Sequence, residues 1–306
     1  MENKMENKME EISSQRKLEA LEENGTLIRK DGKTFLQLDC ENAKELSMKW
    51  GEKLYPFTKT GKKWILELPF STPVNYVQIC VDGQEVLSPE LPIAHGYGRP
   101  YNYIELPDED GLFELRDVPH GTLTREFYKS KISDNWEKLI VYLPPCVPSA
   151  GLPVLYLQHG FGESEISWST TGKVNLLMDN LIAAGKIKPF AIVMGNGMVK
   201  QRIDGELKLN RALYGQMLVE EILPMIEKKY QFGGSKEKRG MAGLSMGSVQ
   251  TTRIICEHPE LFSEVGIFSG FLRDRIVGDE EHDGIVPKSG GQSYLKAMDD
   301  ASFNTY

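Results

Sequence analysis

The stretch that decides the fold is KEKRGMAGLSMGSVQTTRIICEHPELFSEVGIFSG, residues 236–270. It reads as strand, sharp turn, helix, short loop, strand. At the turn stands Gly243-Leu244-Ser245-Met246-Gly247, a G-x-S-x-G pattern. A serine pushed out on a strained strand-to-helix turn leaves no room for side chains two residues to either side, so both of those positions must lack a Cβ. Met241 and Ala242 lead in as strand, Val249 to Glu257 continues as helix, and Pro259 ends it. The helix N-terminus then lies beneath Ser245. The Met246 N–H can point at negative charge developing on a bound carbonyl oxygen. Ser245 is the candidate nucleophile and Met246 the first candidate oxyanion donor.

Working outward, residues 121–270 alternate apolar strands with helical patterns. KLIVYLPP (138–145) is a strand stopped by prolines. PVLYLQHG (153–160) and PFAIVMGNG (189–197) are continuous apolar runs of the kind buried parallel strands show. KVNLLMDNLIAAG (173–185) has helical spacing and closes on Gly185. LYGQMLVEEILPMIEKK (213–229) predicts a helix kinked by Pro224. The alternation predicts a mostly parallel sheet with helices on both faces, and with the serine turn an α/β-hydrolase-type sheet. In that arrangement the second oxyanion donor comes from the loop after an earlier strand. His159-Gly160-Phe161-Gly162 follows such a strand and offers the Phe161 or Gly160 N–H. His159 precedes the serine in the chain, which suits a brace at the pocket better than a base.

Residues 26–105 read differently. TFLQL (34–38), ELSMKW (45–50), KWILELPF (63–70) and NYVQICV (75–81) are short strands. Asp31-Gly32, Thr60-Gly61, Ser71-Thr72-Pro73 and Asp82-Gly83 punctuate them, which predicts a small β-sandwich. Its aromatic residues (Trp50, Tyr55, Phe57, Trp64, Tyr97, Tyr101, Tyr103) read as sandwich core and domain interface, with exposed rings that stack on sugars as the alternative, and His95 reads as a plain loop histidine. The segment 104–120 reads as a linker. The expected organisation is a charged tail over 1–24, disordered or with a short helix near 15–23, a sandwich over 25–107, and a catalytic domain over 108–306.

Taken together, YLPP (142–145), the run from Pro153 to Gly197, LPMIEKKY (223–230), RGMAGLSMGSVQT (239–251) and FSEVGIFSG (262–270) resemble the esterase D and ferric-enterobactin-esterase-like family. They are similar above all to the feruloyl and acetyl-xylan esterases of carbohydrate esterase family one. The front segment resembles the early-set immunoglobulin-like modules attached to carbohydrate-active enzymes, with Trp64 and the V-D-G-Q-E-V run (81–86) as its marks. The resemblance implies a serine esterase with Ser245 as nucleophile, an oxyanion hole near Phe161 and Met246, and His159, Trp168 and the 163–173 loop beside the acyl pocket. Ser248 stands where the family usually has a second glycine, which implies tighter packing of the helix.

Sixty-one residues follow Ser245. The resemblance implies two more strands there, carrying the acid and the histidine of a triad, so the expectation is a C-terminally shortened and marginally stable esterase domain. Within the chain, His282 in GDEEHDG, oriented by Asp279 or Asp283, is the remaining candidate base. His258, Asp274, Asp299 and Asp300 read as surface residues.

The net charge of -8 argues against nucleic acid or an anionic membrane as partner. Residues 1–24 hold no apolar signal segment, and the four scattered cysteines (Cys40, Cys80, Cys146, Cys256) form no C-x-x-C pair. These features point to a cytoplasmic protein with reduced thiols, although an even cysteine count leaves pairing open and a different start would leave secretion open. No cofactor and no metal ligand set is expected. Three functions are in play: a serine esterase on plant-polysaccharide esters, a siderophore or small-ester hydrolase, and a non-catalytic carbohydrate-binding protein.

Overall fold

The computed structural model describes residues 25–107 and 110–270, and these fall into two compact units. The first unit takes the described residues up to His95 and from Arg99 to Gly111. The second takes Gly96–Gly98 and the residues from Leu112 onward. The expected N-terminal tail, with its short helix, lies outside the described residues, as do Asp274, Asp279, His282, Asp283, Asp299 and Asp300.

The first unit contains β1 (Leu27–Lys30), β2 (Lys33–Asp39), β3 (Leu46–Trp50), β4 (Lys53–Pro56), β5 (Thr58–Thr60), β6 (Lys63–Glu67), β7 (Val74–Val81), β8 (Gln84–Val86), β9 (Ile93–Gly96) and β10 (Arg99–Glu105). One sheet runs β1-β2-β6-β5. The other runs β4-β3-β7-β10-β9, with β8 on β7. Period-two alternation sends Leu36 and Leu38 of β2, and Val77 and Ile79 of β7, into one shared apolar core with Met48, Trp64 and Ile104. Trp64 is core, as expected, and its indole N–H donates to the Cys40 carbonyl at 2.9 Å. The Asp82-Gly83 turn needs positive φ at both residues (49° and 79°). Asp82 tolerates this because its carboxylate accepts the Lys44 and Glu45 N–H groups at 2.8 and 2.9 Å. His95 sits on β9 rather than in a loop. The four cysteines are free thiols.

The second unit contains β11 (Thr122–Lys129), β12 (Trp136–Leu143), β13 (Val154–Gln158), α1 (Ser167–Thr170), α2 (Val174–Ala183), β14 (Ala191–Gly195), β15 (Lys200–Ile203), β16 (Glu206–Leu209), α3 (Leu213–Met217), α4 (Leu223–Tyr230), β17 (Arg239–Leu244), α5 (Met246–Glu257) and β18 (Glu264–Phe268). Among the described residues the main sheet is six-stranded, in the order β11-β12-β14-β13-β17-β18. Strands β14, β13, β17 and β18 run parallel, whereas β11 and β12 are antiparallel additions. The sheet is therefore mixed. The apolar run of β12 fits either direction, because burial on both faces and not orientation sets its composition. Apolar cores line both faces. Tyr156, Met217, Ile226 and Ile254 lie on one side, and Tyr142, Met178, Ile192 and Met194 on the other.

The expected kink at Pro224 takes another form. Between α3 and α4 the backbone makes a π-helical turn over Leu218–Ile222, and Pro224 follows at once in the first turn of α4, so the change of hydrogen-bond register lies where the missing N–H interrupts the ladder. Glu227 then fixes α4 to the start of β17. It takes a forked pair of bonds from Arg239 (2.6 and 2.8 Å) and accepts the Tyr156 hydroxyl and the Gly234 N–H.

On the opposite face, Asp179 of α2 is 2% exposed. It accepts the Tyr142 hydroxyl (2.6 Å) and the Gly121 N–H (3.0 Å), and meets His120 Nδ1 at 2.9 Å. The hydrogen bond to Asp179 holds the His120 pKa above the ordinary imidazole value. A raised folded-state pKa means stabilisation that is fully present below the unfolded value of about 6.5 and is lost as pH rises through the folded one. Urea unfolding at pH 5.5 and pH 9 should therefore show wild type more stable than His120→Ala at the lower pH, with the gap narrowing at the higher. A gap that widens with pH would refute the pairing.

Candidate active site

Strand β17 delivers Ser245, and α5 begins at the next residue. Ser245 has φ 52° and ψ −112°, a region non-glycine residues avoid, so the surroundings must hold it there. Its N–H donates to the Phe268 carbonyl of β18 at 2.9 Å. Its own carbonyl accepts the Ser248 N–H (2.9 Å), the Val249 N–H (3.2 Å) and the Ser248 hydroxyl (2.6 Å). Ser245 is exposed while Gly243, Met246 and Gly247 around it are buried. A Cβ on Gly243 would lie 2.2 Å from the Gly247 carbonyl oxygen, and one on Gly247 would lie 2.6 Å from the His159 carbonyl oxygen. Both glycines are there because backbone passes where a side chain would start.

Ser248, the third residue of α5, folds back on the turn. Its hydroxyl clamps the Ser245 carbonyl, and Gly270 passes so close that a Cβ there would sit 2.0 Å from Ser248 Oγ.

The loop after β13 lies across from this turn. His159 is 1% exposed, with Nδ1 2.7 Å from the Gly160 carbonyl and Nε2 accepting the Gly197 N–H at 3.0 Å. Burial lowers its pKa, so the ring is neutral with the proton on Nδ1. Both nitrogens are committed, so His159 braces the loop. Full burial also removes it from the lining of an open pocket, contrary to the place the sequence resemblance implied. Of the two donors expected here, the Gly160 N–H is taken by Glu163 Oε2 at 2.8 Å. The Phe161 N–H has no hydrogen-bond partner among the described residues, and the same holds for the Met246 N–H. Trp168 is half-buried, donates to the Gln158 carbonyl at 3.0 Å and lies beside Phe268, with 6.2 Å between ring centroids.

Three side chains that the sequence reading did not single out hold this loop in place. The Glu163 carboxylate turns back onto Gly160, and burial raises its pKa. Gln250, on the buried face of α5, donates to the carbonyls of Gly197 and Arg211 at 3.1 Å each. The Arg211 guanidinium lies over the Phe161 ring, 5.0 Å from its centroid. Phe161's own carbonyl accepts the Tyr97 N–H. A signal for Gln250 was present: it falls four residues before the buried Ile254, a polar residue in an apolar stripe.

Within the second unit no hydrogen bond joins a described histidine to the Ser245 side chain. His258 caps the far end of α5, about 18 Å from Ser245 for a helix of 12 residues, and pairs with Glu260. His120 is held by Asp179, and His159 by Gly160 and Gly197.

Two substitutions test these constraints. Gly243→Ala should destabilise the second unit by about 3 kcal/mol, since the obstacle is backbone. Gln250→Ala, which leaves two buried carbonyls without a donor, should cost about 2 kcal/mol. Both are read by denaturant unfolding, and a loss below about 0.5 kcal/mol for either would refute the packing described.

Comparisons with known proteins bear on the family and the fold. A protein named endo-1,4-beta-xylanase/feruloyl esterase from Xylanibacter ruminicola is 36% identical over 213 residues, covering 67% of this chain and 29% of that protein. The chain thus spans less than a third of that relative's length. Among solved structures, the enterobactin esterase of Shigella flexneri superposes with a TM-score of 0.60 at 13% identity, over 85% of this chain and 76% of that one. A ferulic acid esterase from Anaeromyces mucronatus gives a TM-score of 0.49 at 22% identity, over 53% of this chain and 63% of the other. Residues 130–302 match the model of the family described as "Putative esterase", more than half of the chain, and the chain belongs to that family.

Proposed function

We propose that the second unit is a serine carboxylic-ester hydrolase working through an acyl-serine intermediate, with feruloyl or acetyl esters of plant polysaccharide as its substrate class. One observation carries the reading. An exposed serine is held at positive φ over a helix N-terminus, and the N–H groups of Met246 and of Phe161 in the facing loop have no hydrogen-bond partner among the described residues. Family membership supports ester hydrolysis, and the relative named as a xylanase and feruloyl esterase supports the acyl group. The first unit, two sheets around Trp64, we read as an immunoglobulin-like module.

In this mechanism Ser245 Oγ adds to the ester carbonyl carbon while its proton passes to a base. The carbonyl oxygen becomes an oxyanion facing the Met246 and Phe161 N–H groups, each worth roughly 3 kcal/mol in the transition state. Collapse expels the alcohol, which takes up the proton. Water then repeats the sequence on the acyl-serine and releases the acid. Glu163, by occupying the Gly160 N–H, leaves Phe161 as the donor on that loop. The base lies outside the described residues. Within the chain the remaining histidine is His282, for which Asp279 and Asp283 are the candidate partners.

The test is fluorophosphonate labelling and methyl ferulate hydrolysis by the 306-residue chain, by Ser245→Ala and by His282→Ala. Labelling should map to Ser245, and Ser245→Ala should reduce hydrolysis at least about 10³-fold. Loss of hydrolysis in His282→Ala would identify it as the base. Hydrolysis that survives Ser245→Ala would sink the reading.

A further inference from the structure

Two large aromatic side chains of the β11–β12 hairpin stand in solvent and join neither apolar core of the second unit. Trp136, the first residue of β12, is 72% exposed, and Phe127 of β11 is 62% exposed. Phe127 pairs with Lys138 and Lys129 with Trp136, so all four side chains are on one face of the sheet. The two rings are then diagonal neighbours across the hairpin, at positions about 7–8 Å apart.

Strand register fixes where this pair lies. Leu139 pairs with Gly195, Val193 with Tyr156, and Gln158 with Gly243. Leu139, Gly195, Gln158 and Gly243 therefore lie across the sheet at one level. Ser245 is two residues beyond that level along β17. Trp136 is three residues beyond it in the same direction, because β12 runs antiparallel. Both project past the carboxyl ends of the parallel strands, the edge where open α/β sheets take their ligands. Three strand spacings, about 14 Å, separate β12 from β17, and Phe127 lies one spacing further. A few linked sugar rings cover that span.

The charges around the rings favour a neutral ligand. Lys138 pairs with the buried Glu165 at 3.1 Å, and Lys129 pairs with Asp134 at 3.0 Å. Both neighbouring cations already have a carboxylate, which leaves two flat apolar faces flanked by compensated charge. Such a surface suits the C–H face of a pyranose better than an anion.

We infer that Trp136 and Phe127 form a stacking subsite for the polysaccharide chain that bears the ester, on the same sheet edge as Ser245. The inference rests on the proposed reading of the second unit as an esterase on polysaccharide esters. The rings hold the sugar backbone, and the acyl group reaches the serine several sugar units away. Small esters do not extend that far, so the subsite acts on polymeric substrates alone.

Soluble arabinoxylan is the probe, with affinity gel electrophoresis of the 306-residue chain as the measurement. Wild type should be retarded. Trp136→Ala and Phe127→Ala should each bind roughly tenfold more weakly. Trp136→Tyr, which keeps a ring, should retain most of the binding. The alanine variants should also keep the wild-type rate on methyl ferulate and the wild-type unfolding midpoint. Absence of retardation in wild type, or equal retardation in the alanine variants, would overturn the subsite. So would a wild-type dimer that the alanine variants convert to monomer, since the patch would then seat a second copy of the chain. Retarded wild type with no methyl ferulate hydrolysis would leave the subsite standing while removing the esterase reading, so the two can fail separately.

Discussion

The constraint on which the rest of the second unit depends is a seam of backbone against backbone. The Gly243–Gly247 turn and the carbonyls of Gln158 and His159 approach more closely than any side chain allows, and beside them the Ser248 side chain leaves no room for a Cβ at Gly270. This seam brings the start of α5 under the end of β17 and aims Ser245 outward. Its strain is balanced by ordinary groups: the Phe268 carbonyl on one side and the Ser248 hydroxyl on the other. The central strands are apolar on both faces because helices cover both faces, and that double burial gives the turn a rigid base.

From the seam outward, four polar side chains hold the site. Buried and neutral, His159 joins the loop to Gly197. The amide of Gln250 joins Gly197 and the Arg211 backbone to the helix that carries the serine. Glu163 and Arg211 act on the loop itself, one on the Gly160 N–H and one on the Phe161 ring. The loop that carries the Phe161 N–H is thus held by groups on several elements, which is the fixed placement the proposed reading requires of an oxyanion donor.

What could be read in advance follows the range of the interactions. The serine turn was legible because its requirements fall within two residues of Ser245, and the loop His159–Gly162 because it follows an apolar strand. Trp64 as core followed from alternation. The mixed direction of the main sheet was not legible, since β12 has the same composition whichever way it runs. Nor was the π-helical turn, because it depends on which carbonyl each N–H chooses and not on residue type. The pairing of His120 with Asp179 spans 59 positions, beyond the reach of any local pattern. The brace role of His159 was anticipated from chain order, but its complete burial required the Gly197 contact to be seen.

The hydrogen bond from the Ser245 N–H to the Phe268 carbonyl ties the serine's geometry to the neighbouring strand, since the residue held at a φ of 52° has its acceptor only when β18 is docked. That strand is close in the chain: Gly240 pairs with Glu264 through α5, a shorter separation than that between Val154 and Ala191 or between Val154 and Arg239. Loop-closure entropy grows with separation, so β17, α5 and β18 form the most local parallel pairing of the sheet, with the serine turn inside it. The strained turn and the group that supports it thus belong to one short piece of chain.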